Sequence, residues 1–385
     1  MKNRQGIAMC KILFVGNDIA FFFSHRLPLA QQALQAGYQV HIAMPEPPDH
    51  PLVHRLRELG ISYHPVALRR MGRNPFHELA AVFSLYRLYR TERPDLIHHI
   101  AIKAILYGGL AALFQRSGQS LFAFTGLGTL FTHEDRGTRL LRHLLEPCYR
   151  LIFLPARTWA LFQNPDDLNL FLDSGIASRE RAFLIRGSGV NLQDYRPLPE
   201  PDGIPVVMLA SRLLRTKGVD EFAGAAALVA ASGVSARFVL VGDCPDNHDA
   251  IPEARVHAWV RQGRLEWWGH CSNMPAVLVR ASVVCLPAHY REGVPKVLLE
   301  AAACGRALVA SDIPGNREAV RDGENGLLVR PRDAVSLAAG IMALLADPEQ
   351  RMRMGQAGRR LVEREFSVEQ VVDRTLTIYR QLLMS

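Results

Sequence analysis

Residues 292–300, EGVPKVLLE, hold two carboxylates, Glu292 and Glu300, on either side of a Gly-Val-Pro turn. Proline is excluded from a helix interior but fits the first helical position, so Pro295 marks a helix start. The helix reads KVLLEAAA and stops at Cys304-Gly305, with Gly305 suited to the position past its end. Glu292 and Gly293 then lie on the entering loop, and Glu300 lies more than one turn inside the helix. Backbone N–H groups at such a terminus attract anions. A carboxylate beside a phosphate would repel it, so these two are better matched to hydroxyls. Phosphate held by N–H groups, with carboxylates gripping polyols, is the requirement of a sugar nucleotide. A first-turn carboxylate also steadies a helix through its dipole with no ligand at all, so the motif needs its context.

A second set of charges stands at residues 210–219, ASRLLRTKGV, after an apolar run read as a strand. Arg212 offers a planar fork for phosphate oxygens and Lys217 a mobile point charge. Cations at the carboxyl end of a strand would stabilise the charge that grows on a departing nucleoside diphosphate. Two other nucleotide signatures are missing. No G-x-G-x-x-G follows the first strand, where residues 16–26, GNDIAFFFSHR, stand instead, and there is no Walker P-loop. The triple Phe21-Phe22-Phe23 falls in an expected loop, to be buried against the next helix or to touch lipid.

The elements that must carry these groups alternate between short apolar runs and helical patterns, which implies an α/β protein with parallel sheets covered by helices. In the first half the expected strands are residues 11–16, 39–44, 96–100, 120–125, 150–155 and 182–187. In the second they are 206–211, 237–242, 265–269, 283–288, 307–311 and 325–329. A proline-rich stretch, residues 196–205, reads as an interdomain linker. The expected layout is therefore a Rossmann-like domain over 1–190, a linker over 191–205, and a second Rossmann-like domain over 206–366. A closing helix over 367–385, with Ser367 and Gln370 in capping-box positions, is expected to pack back toward the first domain. The two sheets would face a central cleft, with ligand at the carboxyl ends of the strands.

The chain has 385 residues, 49% hydrophobic and 21% charged, enough for two cored domains. No apolar run approaches the roughly 18 residues of a membrane span, and no secretory leader is expected. Residues 1–8 are expected to be loosely ordered, and Met9 is a second possible start. The six cysteines do not pair at metal-ligand spacing, and His25 and His98-His99 lack the partners of a zinc motif, so free thiols in a reducing compartment and no metal are expected. The net charge of +8 is unevenly placed. Residues 1–190 hold 22 basic and 14 acidic residues, and residues 191–385 hold 23 of each. The densest clusters are Arg69/Arg70/Arg73, Arg87/Arg90/Arg93 and Arg136/Arg139/Arg142. A basic first domain fits an anionic membrane surface. Nucleic acid is disfavoured because the clusters lack interleaved aromatic residues or a known reading motif.

Arg212, Lys217-Gly218 and the Glu292–Glu300 motif, in this order and spacing, resemble family 4 of the retaining glycosyltransferases. Residues 241–243 (VGD), 311–315 (SDIPG) with Glu318, and 325–329 (NGLLV) support the likeness. The first half is similar to bacterial enzymes that extend polyprenyl-diphosphate-linked sugars, through residues 23–28 (FSHRLP), 74–76 (NPF), Ile97-His98 with Ile102-Lys103, 125–128 (TGLG) and 189–192 (GVNL). The resemblance implies a GT-B fold, no essential metal or cofactor, a UDP-sugar donor, a lipid-linked acceptor and retention at the anomeric carbon. It implies catalytic roles for Glu292, Arg212 and Lys217. Arg212 and Lys217 would hold the donor diphosphate, Glu292 the sugar hydroxyls, Glu300 the ribose, and Lys296 additional phosphate charge. The backbone of Gly293, Val294, Pro295, Lys296 and Val297 would face sugar and phosphate, and the base would lie near Gly269 and His270. On the acceptor side it points to His25, Arg26, Lys103, Thr125 and Gly126. Thr125-Gly126 stands where many members carry a histidine, and Cys244 where a glycine is frequent. Two other functions fit parts of the pattern: an epimerase or hydrolase of sugar nucleotides, and a non-catalytic binder of anionic polymers.

Overall fold

The computed structural model describes residues 10–68, 74–115, 118–128 and 136–384, with backbone alone for 136–139, 141 and 144. The chain forms two compact units, one of residues 1–188 with 369–385 and one of residues 189–368. The Arg69/Arg70/Arg73 cluster, the Arg136 and Arg139 side chains, and the loosely ordered start expected at residues 1–8 with Met9 lie outside the described residues.

The first unit is built on a seven-stranded parallel sheet in the order β3-β2-β1-β4-β5-β6-β7. The strands are β1 (Lys11–Val15), β2 (Gln39–Met44), β3 (Ser62–Pro65), β4 (Leu96–Ile100), β5 (Gln119–Phe124), β6 (Thr158–Phe162) and β7 (Ala182–Leu184). Helices cover both faces, so the central strands are buried along their length rather than alternately, β4 carrying His98 and His99 in the interior. Ile12 through Val15 are wholly buried. The closing helix Val368–Met384 contributes Tyr379 and Leu382, both fully buried, to this unit. The Tyr379 hydroxyl meets His98 Nδ1 at 2.5 Å, and its ring lies 6.5 Å from that of Phe14.

The second unit has a six-stranded parallel sheet in the order β10-β9-β8-β11-β12-β13. Its strands are β8 (Val206–Ala210), β9 (Arg237–Val241), β10 (Glu266–Trp267), β11 (Val283–Leu286), β12 (Ala307–Ser311) and β13 (Gly326–Val329). In both sheets the strand order reverses beside the first strand, so β1/β4 and β8/β11 are the switch points. Parallel sheets of this kind bind ligands beyond the carboxyl ends of the strands at such points.

Two local expectations are corrected. Residues 150–155 do not form a strand: 150–153 end the helix Arg136–Phe153, and the strand is β6, further on. Short apolar runs do not distinguish a strand from a buried helix segment. Phe21–Phe23 lie not in a loop but in the helix Ile19–His25, capped by Asp18, with Phe22 buried. The stretch expected as a linker, residues 191–205, is mostly exposed but is tied to the second unit. The Arg306 guanidinium donates to the Leu198 and Pro199 carbonyls at 2.6 and 3.3 Å, and Arg351 pairs with Glu200 at 3.0 Å.

Candidate active site

Beyond β8 the chain turns through Ser211 and Arg212 into a short 3-10 turn, Arg215–Lys217, before the helix Val219–Ala231. Beyond β11 it runs through residues 287–295 into the helix Lys296–Ala303. The two loops flank the β8/β11 switch point and touch. Gly218 has φ +77°, and a Cβ there would stand 2.2 Å from the Pro287 carbonyl oxygen. The His289 N–H donates to the Thr216 carbonyl at 3.0 Å. Pro295 is the N-cap rather than the first helical residue, so the helix starts one position later than its sequence implies.

These contacts bring Lys217 to Glu292. The ammonium donates to both carboxylate oxygens at 2.7 Å, and the two side chains are 12% and 13% exposed. Burial disfavours the charged lysine, but the Glu292 charge and Tyr290 outweigh it, and its pKa lies above the ordinary lysine value. The Nζ also stands 5.4 Å over the Tyr290 ring. Burial, then the Glu292 charge, pushes the Tyr290 hydroxyl up in turn.

Glu300 is buried one turn into the helix. Its Oε1 accepts from the Tyr195 hydroxyl at 2.7 Å and lies 3.0 Å from Lys296 Nζ. Burial and then the Glu300 charge raise the Tyr195 pKa, so the phenol stays a donor. One carboxylate oxygen is thus fixed, which orients the other. Gly293, Val294 and Pro295 are buried beneath these groups. They rest on Gly315, where a Cβ would come within 1.8 Å of the Gly293 carbonyl oxygen. The Leu298 N–H is taken by the Pro295 carbonyl at 3.2 Å, which leaves the N–H groups of Lys296 and Val297, with the helix dipole, to favour an anion there.

Gly269 and His270 follow β10. The Gly269 carbonyl accepts from the Gly242 N–H at 2.8 Å, and the largely exposed His270 ring lies 3.1 Å from Asp243. The second unit therefore gathers Arg212 and Lys217 after β8 and residues 292–300 after β11. Gly269 and His270 follow a strand two places from β8.

The residues expected on the acceptor side follow β1, β4 and β5 of the first unit, which are adjacent strands. His25 closes a helix, stacks on Phe21 at 4.0 Å and meets the Ser24 hydroxyl at 2.6 Å. Arg26 is only 5% exposed, and burial lowers its pKa to about 10, so it is part of the packed interior. Lys103 is paired with Glu78 at 2.8 Å. Thr125 and Gly126 succeed β5, with Gly126 at φ +116°.

Sequence reasoning did not find Tyr195 or Tyr290. Tyr195 is 105 residues from the glutamate it holds, and no local pattern announces such a contact. Gly315 stood in a noted motif, but its packing role depends on a loop brought near by the fold.

Residues 193–361 match the model of the glycosyl transferases group 1 family, and residues 11–156 match that of the glycosyl transferase 4-like family. The chain belongs to the family 4 glycosyltransferases, with the GT-B fold, and is an enzyme of that class. Among curated proteins it is 26% identical over 359 residues to a Campylobacter jejuni transferase. That protein is named N,N'-diacetylbacillosaminyl-diphospho-undecaprenol alpha-1,3-N-acetylgalactosaminyltransferase, and the match covers 90% of this chain and 92% of the relative. It is 25% identical to the putative glycosyltransferase EpsD of Bacillus subtilis, covering 96% of each. Sucrose-phosphate synthase of Thermosynechococcus elongatus shares the fold with a TM-score of 0.79 at 21% identity, covering 97% of this chain and 99% of that one. Anabaena HepE in complex with UDP and glucose does so with a TM-score of 0.74 at 17% identity, covering 96% and 99%.

Proposed function

We propose that this enzyme moves a hexosyl group, of N-acetylhexosamine or galactose type, from a UDP-sugar to a lipid-diphosphate-linked glycan, with retention at the anomeric carbon and without a metal or cofactor. The observation that carries the reading is the Lys217–Glu292 pair at a strand switch point, beside a helix start and an oriented Glu300. A donor diphosphate offers Lys217 a new counter-ion. As Lys217 and Arg212 engage it, Glu292 is released to the sugar hydroxyls while Glu300 takes the ribose. Lys296 and the backbone of residues 293–297 line the phosphate side, and the base lies by Gly269 and His270. Charge growing on the leaving diphosphate meets cations already in position, which lowers the barrier.

The acceptor class rests on the Campylobacter relative, whose name specifies a diphospho-undecaprenol substrate. His25, Arg26, Lys103, Thr125 and Gly126 are assigned to its side, with Arg26 acting through packing. Attachment to the inner face of the cytoplasmic membrane is supported by the first unit's charge and by one helix, Pro75–Glu92. That helix exposes Phe76, Leu79 and Phe83 beside Phe114 of the neighbouring helix, with exposed Arg87 and Arg90 on the same helix. Among the described residues no helix is long and apolar enough to cross a membrane.

The test is a panel of UDP- and GDP-sugars screened by thermal shift, since a ligand raises apparent stability by mass action. Transfer to polyprenyl-diphosphate-linked acceptors follows. A UDP-sugar that stabilises the protein and is transferred with retained configuration is the expected result. Release of free sugar or an epimer without acceptor would replace this reading with a hydrolase or epimerase. Flotation with anionic vesicles at low and high salt tests the membrane contact.

A further inference from the structure

Away from the donor site, three side chains from three elements of the first unit converge: His41 on β2, His64 on β3, and Glu92 at the end of the helix Pro75–Glu92. One ligand atom from each lies within 4.8 Å of the others. His41 Nδ1 stands 2.9 Å from His64 Nε2 and 3.5 Å from Glu92 Oε2. The ring centroids are 5.1 Å apart. The sheet register sets this up. His64 is opposite Ala43, two residues beyond His41, so both imidazoles project from the same face.

Zinc–nitrogen bonds of about 2.0–2.1 Å in a tetrahedron put neighbouring ligand atoms roughly 3.3 Å apart. The observed spacings bracket that figure. Two imidazoles and one carboxylate suit zinc and similar transition ions, whereas calcium and magnesium prefer all-oxygen sets. The three residues are half-buried, so water can complete the shell.

We propose that His41, His64 and Glu92 form a site for a zinc-class divalent cation, which clips the edge strand β3 and its neighbour β2 to the helix Pro75–Glu92. Lys11 opens β1 and Glu92 closes the helix leading to β4, so the cluster is bounded by the amino ends of β1 and β4, with His41 and His64 within β2 and β3. Ligands of the fold bind at the other end, so this cation is structural rather than catalytic. Lys11 Nζ lies 2.8 Å from Glu92 Oε2 and is the metal's competitor. Removing that charge should therefore strengthen metal binding, a signature that few accidental sites would share.

The experiment uses untagged, chelator-treated full-length protein. Zinc is titrated by calorimetry, cobalt by its visible spectrum, and bound metal is counted by elemental analysis. Wild type is expected to take up one zinc per chain and to melt at a higher temperature with it. His41→Gln and His64→Gln should abolish both effects while keeping the wild-type circular dichroism. Lys11→Met should bind at least about tenfold more tightly, because one unit of like charge is gone. Stoichiometric binding that survives both histidine substitutions would overturn the assignment, as would no binding by either wild type or Lys11→Met. Neither readout depends on transferase activity, so the donor-site reading stands or falls separately.

Discussion

Replacing Lys217 with methionine separates what the Lys217–Glu292 pair does for the fold from what it does for the reaction. The ammonium lies 2.7 Å from both carboxylate oxygens, with each side chain little more than a tenth exposed. Methionine keeps the stem but leaves Glu292 charged with its cation removed. Breaking a buried pair from one side costs about 3–5 kcal/mol, and the residual exposure places this case near the lower end. For a unit of this size, about 3 kcal/mol lowers Tm by roughly 6–12 °C. Loss of a preorganised charge at a leaving group should also lower kcat about 100-fold or more. In the double variant Lys217→Met/Glu292→Gln, no isolated charge remains. It should regain most of the stability and none of the turnover. Thermal unfolding followed by circular dichroism and steady-state kinetics measure the two effects. If Lys217→Met melts within a degree or two of wild type, the pair is not buried as described. If the double variant recovers turnover, the two charges serve only one another.

Glu300→Ala should raise the donor KM and lower turnover less than Lys217→Ala, because ribose contacts bind ground and transition states alike. Tyr195→Phe removes one hydrogen bond to that carboxylate, about 1.5 kcal/mol, so UDP binding measured by calorimetry should weaken up to about tenfold with kcat retained. Gly315→Ala drives a methyl group into the Gly293 carbonyl, so the 292–295 loop must shift; UDP should cease to stabilise this variant in a thermal-shift assay. The Lys217 pKa is raised above 10.5 in the fold, so its stabilising effect is complete below pH 10.5 and lost as pH rises through the folded value. Melting temperatures in alkaline buffers should fall more steeply for wild type than for Lys217→Met/Glu292→Gln.

The parallel architecture was legible because buried strands such as Val206–Ala210 and Val283–Leu286 are uninterrupted apolar runs bounded by turns. The donor-side motif was legible because a proline, two glutamates and a C-terminal glycine encode a loop and a helix locally. What escaped was decided by tertiary contact. The edge strand Ser62–Pro65 carries too little apolar character to announce itself, and residues 150–153 satisfy both strand and helix patterns. Lys103 and Arg26 carry charges that sequence alone makes available to a ligand, but one is paired with Glu78 and the other is enclosed. The meeting of His41, His64 and Glu92 depends on strand register, which no spacing rule discloses.

The helix Val368–Met384 follows the second unit in sequence but belongs to the first. During synthesis the first sheet leaves the ribosome before the second, yet Tyr379, which meets His98 and lies near Phe14, arrives only after the whole second unit. The earlier half must wait with part of its interior uncovered while the later half is made, an interval in which exposed apolar surface invites aggregation. A ribosome stalled before the helix Val368–Met384 has emerged should thus display a protease-sensitive first unit and a finished second one.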